Sequence, residues 1–306
     1  MSYFAQNLAC GLAICIGVFT LGNLASAADI LPYEADANTL HLYHFDEASG
    51  DLGDTGSSAT SIPLDWNSGS HGQSAFDGFG NSYLVDDGHY AATGWGRGGS
   101  METGSDGVAK FPDSEFQSAT GAFTFDAMIK TSTITHNETQ YILSQLFDDG
   151  DDGGKGWDFG IDTGGNLLFD PRTGGTVASQ AIPTSGEDAF DAGEWFHVAV
   201  THDGEGEVKL YWTRVRADAQ QANLIGTLTG IDDMDGGTHF LYVGSNARLS
   251  WGTGYRNELQ GVIDEVRISD TVRTADDFIF QIPEPSSLLL LCAGLTALLG
   301  RRRRRA

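Results

Sequence analysis

The stretch "EWFHVAVTHDGEGEVKLYWT", Glu194–Thr213, decides the fold. Phe196, Val198 and Val200 alternate with His197, Ala199 and Thr201, which is the period of a strand with one apolar face. The acidic, Gly-bearing turn Asp203–Gly206 then reverses the chain, and Val208, Leu210 and Trp212 resume the alternation. Two alternating runs joined by a short turn form an antiparallel hairpin.

The same pattern recurs outward from this hairpin. "GAFTFDAMIK" sets Phe123, Phe125, Ala127 and Ile129 on one face and Thr124, Asp126, Met128 and Lys130 on the other, the pattern of a strand buried on one side. Further strands are expected at 40–45, 141–147, 157–161, 166–169, 240–243 and 262–268. Gly, Asp, Asn and Ser separate them, and helical periodicity is absent apart from one short helix expected at 274–280, with Thr274 as its cap. Many short strands without a helical layer predict an all-β chain, two antiparallel sheets packed as a β-sandwich. The stretch from Gly69 to Gly107 reads as long surface loops.

The chain has 306 residues with 42 acidic and 17 basic side chains, a formal net charge of −25. Between residues 29 and 282 the balance is 41 acidic to 12 basic, or −29. So acidic a surface repels nucleic acid and suits divalent cations and neutral partners. The apolar run Leu8–Leu24 followed by "ASAAD" is read as a signal helix, with residues 1–28 removed after Ala27 or Ala28, although its start lacks Lys and Arg. At the other end, "IPEPSSLLLLCAGLTALLGRRRRRA" joins Pro283, Glu284 and Pro285 to an apolar segment at 288–300, expected as a short helix, and to Arg301, Arg302, Arg303, Arg304 and Arg305. Thirteen apolar residues fall short of the roughly 20 that cross a bilayer. The arginines would hold that end on the cytoplasmic side during export. Cys10, Cys15 and Cys292 all lie in these end segments, so the body at 29–282 has neither a disulfide nor a thiol site.

Several stretches together carry a family resemblance: "LHLYHFDEASGD" (40–51), "FTFDAMIKTS" (123–132), "GEWFHVAVTHDGEGEVKLYW" (193–212), "LYVGSN" (241–246) and "LQGVIDEVRISDTVRTADDF" (259–278). In this order they resemble the LamG-like jelly roll of the concanavalin A-like lectin/glucanase superfamily. Leu259, where such modules often carry an aromatic, and the insertion between Trp66 and Lys110 depart from the pattern. The tail at 283–306 resembles the PEP-CTERM sorting signal of exosortase-processed bacterial surface proteins. The resemblances imply a lectin-like module exported to the cell surface or extracellular matrix, with signal peptidase and an exosortase-type enzyme as processing partners and a transient inner-membrane association.

Candidate sites follow from individual residues. Strict alternation in "VIDEVRI" would place Asp264 on the face of Val262, Val266 and Ile268, where a carboxylate needs a cation or donors. Jelly rolls of this type commonly pair their first and last strands, which would bring Asp46 near Asp264 as a structural Ca²⁺ site; an internal bond to amides or an Arg is the alternative. No organic cofactor is expected. "FDDGDDGGKG", 147–156, lacks the EF-hand Glu at position 12 and is read as a solvated hairpin loop. For stacking on an extracellular polysaccharide or surface glycan, Trp251 and Tyr255 with Arg256 and Asn257 share one Gly-flexed loop, and Trp66 and Trp95 are further candidates; Trp157, Trp195 and Trp212 read as strand residues. Retaining glycosidases of this superfamily carry alternating carboxylates on one strand. No stretch here has that spacing, "EDAFDAGE" at 187–194 included, and the eight His are single. The expectation is a non-catalytic carbohydrate-binding or adhesive protein, with an unfamiliar glycoside hydrolase or lyase, or a protein-binding coat protein, as alternatives.

Overall fold

The computed structural model describes residues 33–45, 53–66, 91–92, 101–102, 111–145, 156–216, 219, 221–234, 238–239, 241–244, 247–248, 255–256 and 259–278. Eleven strands carry the argument: β1 (Thr39–Tyr43), β2 (Ala122–Thr131), β3 (Gln140–Ser144), β4 (Asp158–Ile161), β5 (Asn166–Asp170), β6 (Ala178–Ala181), β7 (Phe196–Asp203), β8 (Glu207–Arg214), β9 (Leu224–Thr229), β10 (Tyr242–Val243) and β11 (Gly261–Ser269). They form two antiparallel sheets. The first runs β1-β11-β2-β7-β8-β9, and the second runs β6-β5-β4-β3-β10 and continues through Met101–Glu102 to Asp65–Trp66. Met101–Glu102 therefore lies in a stretch expected to be loop. Strands β6 and β9, outside the expected set, extend the two sheets at one end.

The decisive hairpin forms as expected, with Val198 opposite Trp212 and Val200 opposite Leu210. Its turn is fixed by Asp203, whose Oδ1 accepts the amides of Glu205 (2.8 Å) and Glu207 (2.9 Å). Gly204 is required there. Its φ is +79°, and a Cβ would stand 1.9 Å from the Thr120 carbonyl oxygen.

Between the sheets lies the main core. Phe123, Phe125, Ala127 and Ile129 of β2 meet Phe196, Val198 and Val200 of β7, and Ile142, Phe159, Ile161 and Phe169 come from the second sheet. Trp157 stacks on Phe125 at 4.4 Å and Trp212 on Phe196 at 4.6 Å, so both are core residues as expected.

The expectation that β2 is buried on one side only is corrected. Thr124, Asp126 and Met128 are fully buried as well. Tyr33, Val215, Ala219, Ala222 and Phe278, from segments at both ends and after β8, form a second cluster over the outer face of the first sheet with Leu42, Met128, Ala199 and Tyr211. Beneath it, Arg267 donates to both carboxylate oxygens of Asp126 at 3.0 Å each, and its guanidinium lies 4.3 Å from the Tyr33 ring centre. Burial pushes the Asp126 pKa up, but Arg267 and His197 more than reverse this, and the carboxyl stays below its ordinary range. Two parallel hydrogen bonds give such a buried pair geometric specificity, while desolvation of both charges offsets much of their attraction.

A bulge in β11 corrects the reading of "VIDEVRI". Asp264 stands opposite Met128 and Arg267 opposite Asp126, so two residues of β11 face the single Ala127 of β2. Glu265 takes up the extra residue at φ +49°. The inward set is therefore Ile263, Val266 and Ile268, and Asp264 lies on the outer face with Val262, away from the Val266 and Ile268 it was also expected to join. The helix expected at 274–280 is a turn in its described part. Thr274 N and Oγ1 donate to Asp277 Oδ2 at 2.6 and 2.9 Å, so the capping chemistry is present without a helix behind it.

Candidate functional site

Strand β4 turns Phe159 and Ile161 inward, so Asp158 and Gly160 lie on the outer face of the second sheet. Asp158 pairs in register with Ser144 of β3 and Asp170 of β5. The same row continues at the backbone positions of Tyr242, Glu102 and Asp65. Carboxyl residues thus occupy four of the six positions of one row across this sheet.

After β5 the chain turns through Pro171, and Arg172 adopts φ +57°, a conformation in which a side chain other than glycine is strained. The turn is held because Arg172 N donates to Asp170 Oδ1 at 2.8 Å. This conformation lays the guanidinium over Asp158. Nε and Nη2 both reach Asp158 Oδ2, Nη2 also donates to the Tyr141 hydroxyl at 3.1 Å, and Nε lies 3.3 Å from Asp170 Oδ2. One arginine therefore joins three strands.

Asp158 is completely buried and its Oδ1 has no hydrogen-bond partner, whereas Arg172 is 31% exposed. Burial raises the Asp158 pKa, Arg172 offsets only part of that rise, and the carboxyl is left at about 7. The site is thus a buried carboxyl with one spare oxygen, beneath a half-exposed guanidinium and beside a phenol. At neutral pH it can donate or accept at Oδ1, and the outward edge of Arg172 can donate. Groups of this kind match a ligand rich in hydroxyls.

None of these four residues was among the expected site residues. The signal was present in "WDFGID", where Asp158 interrupts an apolar strand as Asp264 does, and in the turn-forming "DPRTGG". Of the residues that were expected, Asp264 is buried, and its Oδ1 accepts the Glu265 amide at 2.8 Å. Strands β1 and β11 are neighbours as anticipated, with Tyr43 opposite Val266. Asp46, Trp251, Asn257, 283–285 and 301–305 lie outside the described residues, and Tyr255 and Arg256 are described only as a two-residue strand paired with Ala247–Arg248. Among the described residues no group of three or more His, Cys, Asp or Glu side chains could hold a metal. Asp264 fits a cation in charge, but one of its oxygens is already engaged. The acids of 187–194 serve as ion-pair partners, Glu187 and Asp188 with Arg216, and Asp191 and Glu194 with Arg214.

Residues 103–278, more than half of the sequence, match the profile of the concanavalin A-like lectin/glucanases superfamily. The chain belongs to that superfamily. Residues 281–305 match the PEP-CTERM protein-sorting motif, which identifies the tail. No curated protein matches the sequence. Among solved structures this superfamily member is similar to the binding domain of Paraclostridial Mosquitocidal Protein 1, at 15% identity and TM-score 0.50 over 78% of this chain and 50% of that one. It is also similar to the binding domain of Botulinum Neurotoxin DC in complex with SialylT, at 11% identity and TM-score 0.50 over 79% of this chain and 50% of that one. The chain spans about half the length of these structures, and the likeness is one of fold.

Proposed function

We propose that this superfamily domain is an exported, non-catalytic carbohydrate-binding module acting at the cell surface or in the extracellular matrix, with the outer face of the second sheet as its binding face. The observation that carries the reading is Asp158 Oδ1, a buried carboxyl oxygen without a partner beneath the half-exposed Arg172. A buried polar atom left open costs stability, about 1–3 kcal/mol, and a cost of that kind calls for an explanation outside folding, which a ligand hydroxyl bonded there supplies. Superfamily membership and the sorting motif support the class of ligand and the place of action. Processing by signal peptidase and an exosortase-type enzyme, with transient inner-membrane association, belongs to the same reading. So does a structural Ca²⁺ at Asp46 and Asp264, which chelation would reveal as a lowered Tm; an unchanged Tm removes it.

The test is a glycan array and polysaccharide pull-down with the exported protein. Asp158→Asn and Arg172→Met are expected to weaken capture at least tenfold with the melting transition still cooperative. Capture of no polysaccharide, or capture indifferent to both substitutions, overturns the reading. The elevated Asp158 pKa beside Asp170 favours a hydrolase as the second reading, since a carboxyl poised near neutrality is what a general acid needs. Reducing-end release from the captured polysaccharide decides between them; the binding reading predicts none.

A further inference from the structure

Both described ends of the chain lie over one face of the sandwich. Tyr33 packs over Arg267 of β11, and Phe278 packs at 4.7 Å from the ring of His197 and 5.3 Å from that of Tyr211. Arg267, Asp126, Ala199 and Tyr211 form one register row, and His197 lies in the next, opposite Met128. The described part of the chain therefore begins and ends over the middle of the outer face of the first sheet. Asp36 and Arg273 clamp the two segments together through paired hydrogen bonds of 3.0 and 2.9 Å. Asp158 and Arg172 lie on the outer face of the other sheet, with the whole core between.

The connections to the apolar end segments are short. Eight residues separate Leu24 from Tyr33, and nine separate Phe278 from Leu288. Fully extended, nine residues reach about 30 Å. A domain of this size has a radius of gyration of about 18 Å, equivalent to a sphere of about 23 Å radius, so the surface path from the middle of one face to the middle of the other is about 70 Å. Neither connection can pass round the domain. We infer that, while its apolar tail is held in a membrane, the domain turns the outer face of the first sheet toward the lipid and displays the Asp158–Arg172 face away from it. This rests on the export reading above, and it gives the sorting tail a second effect: it sets the direction in which the binding face points.

The experiment uses the full chain in phosphatidylcholine vesicles carrying an energy-acceptor headgroup lipid. Cys10, Cys15 and Cys292 are replaced by Ala, and a single donor fluorophore is placed through Asp276→Cys beside Phe278 or Thr173→Cys beside Arg172, both exposed positions. Energy transfer to the membrane is expected to be at least twofold greater from position 276 than from 173. Equal or reversed transfer from protein that floats with the vesicles overturns the orientation. Failure to float overturns the anchoring and the orientation with it, and so separates the two.

Discussion

Asp158 shows how one residue sets a measurable property of the molecule. Its pKa of about 7 in the fold lies well above the ordinary aspartate value because burial disfavours the charged form. The unfolded chain releases this proton near pH 4 and the native chain near pH 7, so between those values the native state binds more protons. Stability contributed by the group is then fully present below pH 4, declines as pH rises, and is gone above pH 7, a span of about 4 kcal/mol. Asp158→Asn abolishes the titration. Denaturant unfolding at pH 5 and pH 8 should show the Asn variant gaining on the parent chain as pH rises; a difference independent of pH would contradict the raised pKa. Asp158 and Asp264 present the same sequence sign, a carboxylate within an apolar strand. Alternation alone gives the face that Asp158 occupies but not the Arg172 that covers it, because that contact depends on a strained turn 14 residues away.

At the scale of elements, period-two patterning was enough to locate most of the strands, because a sheet with one face on the core forces alternation. It failed where a second layer covers the sheet. The outer face of β2 carries Thr124, Asp126 and Met128, which read as solvent-facing, and burial there is set by distant segments that alternation cannot report. It failed again at Glu265, where one extra residue changes which side chains face inward. Deleting Glu265 removes the bulge and restores strict alternation in β11 with its faces and register kept. Ile263, Val266 and Ile268 then still face the core, and Asp264, Val266 and Arg267 stand opposite Met128, Ala127 and Asp126 in turn. We expect this deletion to keep cooperative unfolding at a cost of about 1–3 kcal/mol, from the lost bonds to Tyr33 N and the His44 ring, whereas deleting Val266 turns the Glu265 carboxylate toward the core and should abolish it. Circular dichroism melts of the two variants check the contrast. A Val266 deletion no worse than the Glu265 deletion would show that the bulge does not decide which side chain faces inward.

For the whole molecule, the two ends and the sandwich act as one unit through Asp36 and Arg273. The sorting motif after the body was legible in the sequence, but the latch was not, since residues 237 apart carry no mutual pattern. Arg273 is 7% exposed and also donates to Ser269 Oγ at 2.9 Å and Thr39 Oγ1 at 3.1 Å, while Asp36 is half exposed. The Arg273 hydrogen bonds hold the Asp36 carboxyl well below the ordinary carboxylate range, against a smaller opposing effect of burial. A depressed carboxylate pKa contributes stability that is present above the unfolded value near 4 and lost as pH falls through the folded one. The latch therefore holds at neutral pH and opens only in strong acid. Because Asp36 is half exposed, solvent screens the pair, and its global contribution is about 1 kcal/mol. Asp36→Asn should lower Tm only slightly, yet loosen both end segments locally, since it removes the charge-assisted pair that ties one to the other. Limited proteolysis at pH 7 should then cleave the variant near 33–38 and 274–278 well before the parent chain, with the β7–β8 hairpin still protected. Cleavage at equal rates in both chains would show that packing of Tyr33 and Phe278, rather than the ion pair, holds the ends down.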